Sequence, residues 1–276
     1  MFKRVALMAG LALAGAAAPV LANDMVEMPG HKTVQQQLAD AIASPARFFD
    51  RRRDKWRHPA QTLEFFRVEP GMTVVDYMPA KGWYTRVLVP YLGEQGRYVG
   101  VHPAPNGPKK VSDYFAGQHR SFSAEVGQWS MAGAPISALS SGEMAKTMPG
   151  SVDRVLIFRE MHNLHGTRIL DDELAAIHAA LKTDGMLGIV QHRAPASASK
   201  SWANGENGYM RQADVIALVE KAGFRLVAAS EINANAADPA NHKGGVWALP
   251  PVWRSADKTM QAIGESDRMT LLFAKR

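Results

Sequence analysis

The chain has 276 residues, 32 Lys and Arg against 26 Asp and Glu, a formal net charge of +6, and no cysteine. The lack of cysteine excludes disulfides, a thiol nucleophile and a lipid anchor on an N-terminal cysteine, so stability must come from the core. The charge is mild and gathers in one dense patch, "ARFFDRRRDKWRHPA" at 46–60, where a nucleic-acid partner would call for a broader basic surface.

Residues 1–22, "MFKRVALMAGLALAGAAAPVLA", open with Lys3 and Arg4 and continue as an apolar run broken by Gly10, Gly15 and Pro19. With Val20-Leu21-Ala22 at its end, this is the pattern of a cleaved secretory signal peptide. It falls short of the ~20 strongly apolar residues of a membrane span. The expected mature chain of about 250 residues carries 30 basic and 26 acidic side chains, is periplasmic or secreted, and has no stable membrane insertion.

Residues 23–66 form a second section, a helical N-terminal extension. "TVQQQLADAIA" and "PAQTLEFF" place apolar residues three and four apart, with Pro59 positioned to open a helix. The basic patch reads as a solvated helix face with internal ion pairs to Asp50 and Asp54. After the turn signal "EPGM", residues 67–276 alternate strand-length apolar runs with helical patterns. The predicted strands are 73–78, 97–102, 154–159, 186–192, 225–232 and 269–275. The predicted helices are 83–92, 110–118, 168–182 and 211–222. A further strand is expected within 120–150, with "RSFSAEV" as a weak candidate.

This alternation predicts an α/β domain with a largely parallel sheet covered on both faces. The last strand follows its predecessor without a helical crossover pattern, across a Pro-, Gly- and Asn-rich segment, and is expected to be antiparallel. Ligands of such sheets bind at the carboxyl ends of the strands. Those ends carry Pro79 to Tyr84, then His102, then Arg159, Glu160, His162 and Asn163, then Gln191 to Arg193, and finally Glu231, Asn233 and Asn235. A row of His, Arg, Asn and Glu at these places predicts a polar pocket. "HNLH" at 162–165 has a metal-like spacing but no Cys or placed carboxylate to complete a set. There is no G-x-S-x-G elbow and no P-loop.

Four blocks carry a more specific signal: "RRDKWRHPAQTLEFFRVEPGMTVVDYMPAKGWYTRVLVPYL", "LIFREMHNLH", "GYMRQADVIALVEKAGFRLVAASEINANAADPANHKGGVWALPP" and "IGESDRMTLLFAKR". From about residue 40 onward the chain resembles a family of exported class I S-adenosylmethionine-dependent methyltransferases known from sequence. The resemblance implies a Rossmann-like fold with a mostly parallel seven-stranded sheet and an antiparallel last strand. It also implies methyl transfer from S-adenosylmethionine to an unspecified small molecule. In that family the first loop resembles P-G-G-G-W-Y-T; here Pro79, Gly82, Trp83, Tyr84 and Thr85 match, while Ala80 and Lys81 replace glycines. Asp76 stands at the usual acidic place, Met78, Ala80 and Gly82 at the three usual glycine places, and His102 where an acid normally ends the second strand.

The expected cofactor-binding residues are therefore Asp76, Pro79, Ala80, Gly82, Trp83, Tyr84 and His102. His162 or Glu231 is the expected general base, oriented by Arg159 or Asn163, and no metal is expected. Met78 and Ala80 raise two concerns, a side chain in the cofactor's space and the cost of positive φ. A histidine at 102 cannot chelate a diol as a carboxylate does. Trp83 and Tyr84 either stack on a ligand ring or pack the first helix on the sheet. The alternative reading is an exported binding protein that keeps the fold without methylating. Arg159, His162, His192 and Arg193 would then favour an anionic ligand.

Overall fold

The central strand β1 (Thr73–Tyr77) is buried on both sides after its first residue, as a strand between two helical layers must be. In the computed structural model, which describes residues 32–105, 109–129, 131–254 and 256–276, it sits in the middle of one mixed sheet. The other strands are β2 (Arg97–His102), β3 (Ile136–Ser140), β4 (Val152–Phe158), β5 (Leu181–Ala194), the two-residue β6 (Met210–Arg211), β7 (Phe224–Ser230) and β8 (Arg268–Lys275). Their order is β3-β2-β1-β4-β5-β8-β7, with β6 paired to β5 off this path. All pairings are parallel except those of β8 with β5 and β7. Leaving aside the short β6, this is the strand order of class I methyltransferases, with the last strand inserted antiparallel as expected.

The predicted signal peptide, and the start of the predicted extension, lie outside the described residues. Residues Thr33–Arg276 form one compact unit. No described helix is long and apolar enough to cross a membrane.

Alternation along the strands sorts the core into two faces. Val75, Tyr77, Val99, Val101, Val155 and Ile157 point to one side. There they meet α6 (Ser141–Thr147), α7 (Leu170–Ala180) and α8 (Gln212–Lys221) through Met144, Leu174, Ile177, Val215 and Val219. Val74, Tyr98, Leu156, Phe158, Val190 and Leu272 point to the other. Helix α4 (Thr85–Leu92) covers part of that face through Val87 and Leu88. The rest is covered from the N-terminal segment by α1 (Val34–Ala43) and α3 (Pro59–Phe65), through Leu38 and Leu63. Helix α1 starts on a capping box, in which the Gln36 amide donates to Thr33 Oγ1 at 3.2 Å and the Thr33 amide to Gln36 Oε1 at 2.8 Å. Pro59 does open α3.

Two expectations are corrected. "RSFSAEV" is the last third of a long helix, α5 (Lys109–Val126), and the missing strand is β3. Phe122 and Val126 are four apart, a helical spacing, and serine alternation around Phe122 imitates a strand. Strand β3 is short and only partly buried at the sheet edge, so its apolar pattern is faint. The basic patch is a solvated face only in part: Arg51, Arg52 and Lys55 are exposed, but two of its arginines are not. Arg47 has no exposed surface and Arg57 is almost fully buried. Arg47 forms a two-point pair with Asp54, at 2.7 and 3.1 Å. Of the two expected internal ion pairs, the one to Asp54 is present inside the protein, where the helix α2 (Asp54–Arg57) meets Trp83 of the first loop through Arg57, whereas Asp50 pairs with Arg86 of α4.

The fit between the extension and the sheet is tight at Gly188 in β5. A Cβ there would come within 2.7–2.9 Å of three ring carbons of Phe66, which is itself fully buried. Gly188→Ala is expected to cost about 1–3 kcal/mol through overpacking. Urea unfolding of the two proteins measures this, and equal midpoints would show that Phe66 gives way freely.

Candidate functional site

The loop after β1 keeps a glycine-type backbone with non-glycine residues. Met78, Ala80 and Gly82 all lie in the left-handed region, with φ of 56°, 51° and 71°. For Met78 and Ala80 this costs roughly 1–2 kcal/mol each. Such strain persists only where the surroundings impose it. The Met78 amide donates to Val101 O at 2.7 Å and the Gly82 amide to Pro79 O at 2.9 Å, which ties the loop to β2 and closes its turn. The Met78 side chain is buried in the core cluster that contains Tyr77 and Val101, so it does not project over the loop. Ala80 is exposed, and Pro79 is buried beneath it.

Asp76 lies under the loop. It accepts from Tyr98 Oη at 2.9 Å, and Tyr98 Oη is 2.7 Å from Thr85 Oγ1. Burial pushes the Asp76 carboxyl up to about 7, against the opposing pull of the Tyr98 hydrogen bond. Trp83 and Tyr84 pack rather than face a ligand. Tyr84 stacks on Phe158 with ring centroids 3.6 Å apart, and burial pushes its hydroxyl up to about 12. Trp83 has the guanidiniums of Arg47 and Arg57 at 4.9 and 4.7 Å from its ring centroid, and its Nε1 donates to Asp50 O at 3.3 Å.

Helix α5 and the segment after it cover this end of the sheet. Phe115 joins the core of one face and Phe122 the core of the other, so the helix passes over the carboxyl end of β2. Phe122 fills the place where a side chain on Gly100 would stand. His119 lies 5.7 Å from His102, ring to ring. Burial, with His119 second, lowers His102 to about 4, so its ring is neutral at physiological pH. Its Nδ1 is buried without a partner. Trp129 lies on Gly82, where a Cβ would meet its ring at 2.3 Å. Arg86 stacks on Trp129 at 5.8 Å while held by Asp50 at 2.6 and 3.0 Å.

A cavity of about 120 Å³ opens at the ends of β4 and β5. Arg159, Glu160, His162 and Asn163 after β4, with His192 in β5 and Ser266 before β8, form its polar wall; Trp247, Pro250 and Pro251 form an apolar one. Arg159 has φ of 65°, and its side chain makes no hydrogen bond or ion pair among the described residues. Burial, opposed by the Gln191 hydrogen bond, lowers His162 to about 4; burial, then His162, lowers His192 well below its ordinary value. His192 Nδ1 is 2.5 Å from Ser266 Oγ. Both imidazoles are neutral at pH 7, which makes His162 an available but weak base.

The structure thus brings the expected Arg159, His162 and Asn163 together and leaves Glu231 apart. Glu231 sits outside the cavity with its side chain 69% exposed, and accepts from Arg193 at 2.8 and 2.7 Å. Arg193 is further tied to Asp267 at 2.8 Å, so it is not free for an anion. Among the described residues, no three His, Asp or Glu side chains gather as a metal site.

Three residues here carry no assigned role in the sequence reading, although Glu160 stands there among the strand-end residues of the polar pocket. Glu160, hydrogen-bonded by Asn163 Nδ2 at 2.6 Å, is pushed by burial up to about 7. Its place directly after β4 was the available signal. Glu265, in the loop before β8, gathers Arg53 at 2.6 Å, Arg57 at 3.1 Å and Arg268 at 3.0 Å. Burial would raise its carboxyl, but Arg57, Arg268 and Arg53 together hold it at about 2. Trp129 had no signal, since its partner Gly82 is 47 positions away.

No family model matches the chain, and no curated protein matches it. Solved structures of similar shape include a SAM-dependent methyltransferase from Aquifex aeolicus, at 18% identity and TM-score 0.45, covering 73% of this chain and 94% of that one. The [4+2]-cyclase SpnF has 13% identity and TM-score 0.49, with 88% and 96% covered. The mitomycin 7-O-methyltransferase MmcR has 16% identity and TM-score 0.46, with 89% and 61% covered. At these levels the fold assignment rests on the strand order itself.

The Asp76 environment predicts a pH dependence. The unfolded Asp loses its proton near 4 and the folded one near 7, so the unfolded state binds fewer protons over this window. Stability therefore falls as pH rises from about 4 to about 7, by up to about 4 kcal/mol from this group. Asp76→Asn is expected to remove that share of the fall and to keep an acceptor for Tyr98. Urea unfolding at several pH values tests it, and superimposable profiles for the two proteins would refute it.

Proposed function

We propose that this chain is an S-adenosylmethionine-dependent methyltransferase acting on a small molecule after export. The carrying observation is the left-handed run at Met78, Ala80 and Gly82, on the strand order that places this loop at the ligand-binding end. Two further features support the fit of the cofactor. The Met78 side chain is turned into the core, and the unpartnered Nδ1 of neutral His102 offers one hydrogen bond where a ribose hydroxyl would lie.

The backbone from Pro79 to Gly82 and the His102 ring would hold the cofactor. Asp76 would support the loop from below through Tyr98. Trp129 must turn away from Gly82 to admit a ligand. S-adenosylmethionine, when bound, supplies an electrophilic methyl group. On the acceptor side, Glu160 is the better-matched base, because a carboxyl poised at about 7 takes a proton at neutral pH. Asn163 holds it in place, and neutral His162 lies on the same wall.

One observation favours the other reading, a fold kept for a different ligand: Trp129 occupies the approach to Gly82. Calorimetric titration with S-adenosylhomocysteine separates the two. Binding is expected in the parent and about tenfold tighter in Trp129→Ala, where the covered state no longer competes. Absence of binding in both proteins would sink the methyltransferase reading.

Export is read from residues 1–22 alone. The intact mass of protein from a Gram-negative host should place the mature N-terminus at Asn23. Material that keeps Met1 in the cytosolic fraction would argue against it.

A further inference from the structure

The cavity beyond β4 and β5 stands beside an unbalanced group of charges. Arg53, Arg57 and Arg268 converge on the single carboxylate of Glu265, which lines this cavity. Arg159 reaches the same cavity with no partner of its own. Arg57 is 3% exposed and Arg268 2%. Even so, Arg57 Nη2, Arg268 Nε and Arg53 Nη2 are buried donors without an acceptor.

The neighbouring groups do not restore the balance. His162 and His192 are neutral, and Glu160 is only partly ionised near pH 7. Four guanidiniums thus face one fully ionised carboxylate. Buried charge without a counter-charge is costly, and a guanidinium is a fork made for a planar two-oxygen acceptor. Behind Arg159, a void of about 10 Å³ bounded by Arg57, Arg268 and Tyr84 has room for about one water and no more. The ligand charge must therefore sit on the cavity side of Arg159.

We propose that this cavity binds the carboxylate of a short-chain organic acid on the guanidinium of Arg159, with Arg57 and Arg268 supplying positive potential from behind. The acid's carbon chain lies against Trp247 and the Pro250–Pro251 wall. A volume of about 120 Å³ is well below the ~300–1,000 Å³ of pockets for larger ligands, which limits the acid to a few carbons. Glu160 and Glu265 in the lining oppose a second negative charge, which disfavours a doubly charged phosphate. Acid binding needs no methyl transfer; only the identification of the acid as the methyl acceptor rests on the function proposed above.

The test therefore uses no cofactor. Thermal unfolding and calorimetry of the mature chain are run at constant ionic strength with acetate, butyrate, succinate, inorganic phosphate and chloride. Butyrate at a hundred times its Kd should raise the midpoint by about 5 °C, and phosphate should not. Arg159→Gln should weaken butyrate by about tenfold or more, and Arg225→Gln, at an exposed arginine on β7, should leave it unchanged. Unchanged affinity in Arg159→Gln, no response to any carboxylate, or a response to phosphate alone would overturn the proposal. If Arg159→Gln does not fold, dicarbonyl labelling of the parent with peptide mapping decides the same question. Butyrate should protect Arg159 and not Arg225, and equal labelling with and without butyrate refutes the site.

Discussion

The carboxylate of Glu265 is the tie on which the arrangement of this protein depends. It lies in the loop before β8 and accepts from Arg53 and Arg57 of the N-terminal segment and from Arg268 of β8 itself. Positions more than 200 residues apart in sequence meet at two oxygen atoms. Losing one partner of such a buried set costs about 3–5 kcal/mol, because the remaining charges stay buried. The same contact fixes Arg57 against Trp83, and Trp83 opens toward α4 and the first loop. The N-terminal segment is thus a structural layer of the domain. It covers a sheet face that α4 alone leaves partly bare, and it delivers charge to the carboxyl ends of β4 and β5.

The first loop shows how backbone shape and residue identity part company. Its left-handed positions are usually given to glycine because glycine takes that shape without cost. Here Met78 and Ala80 take it with strain, and hydrogen bonds to the neighbouring strand and within the turn hold them there. The two concerns raised by these residues resolve differently. Met78 puts its side chain into the core, so it does not obstruct, whereas the strain at both positions is present and tolerated. What stands over the loop is a residue from a different part of the chain.

The sheet was legible because its strands are continuous apolar runs between turn signals, and continuous burial on both faces leaves that mark. The antiparallel end was legible from a missing crossover. Strand β3 was not, because an edge strand with partial burial needs few apolar residues, and the helix before it offered a false alternation around Phe122. At the candidate site, Arg159, His162 and Asn163 were found because they directly follow a strand. Glu231 follows a strand too, but β7 is the sheet's edge strand, and Arg193 claims its carboxylate. Arg47 and Arg57 of the basic patch were misjudged for a physical reason. Arginine is ordinarily a surface residue, and its burial depends on acidic partners such as Glu265 whose nearness is set only by the fold.

Gly82 is held by two separate demands. One is the turn, which needs its φ of 71°; the other is the Trp129 ring, which lies where any side chain would begin. The second demand has an evolutionary consequence. A lineage that gave up its ligand would still be bound to keep this glycine for as long as it kept the tryptophan. The two residues form one unit of selection, so substitution at 82 should follow, not precede, a change to a small residue at 129.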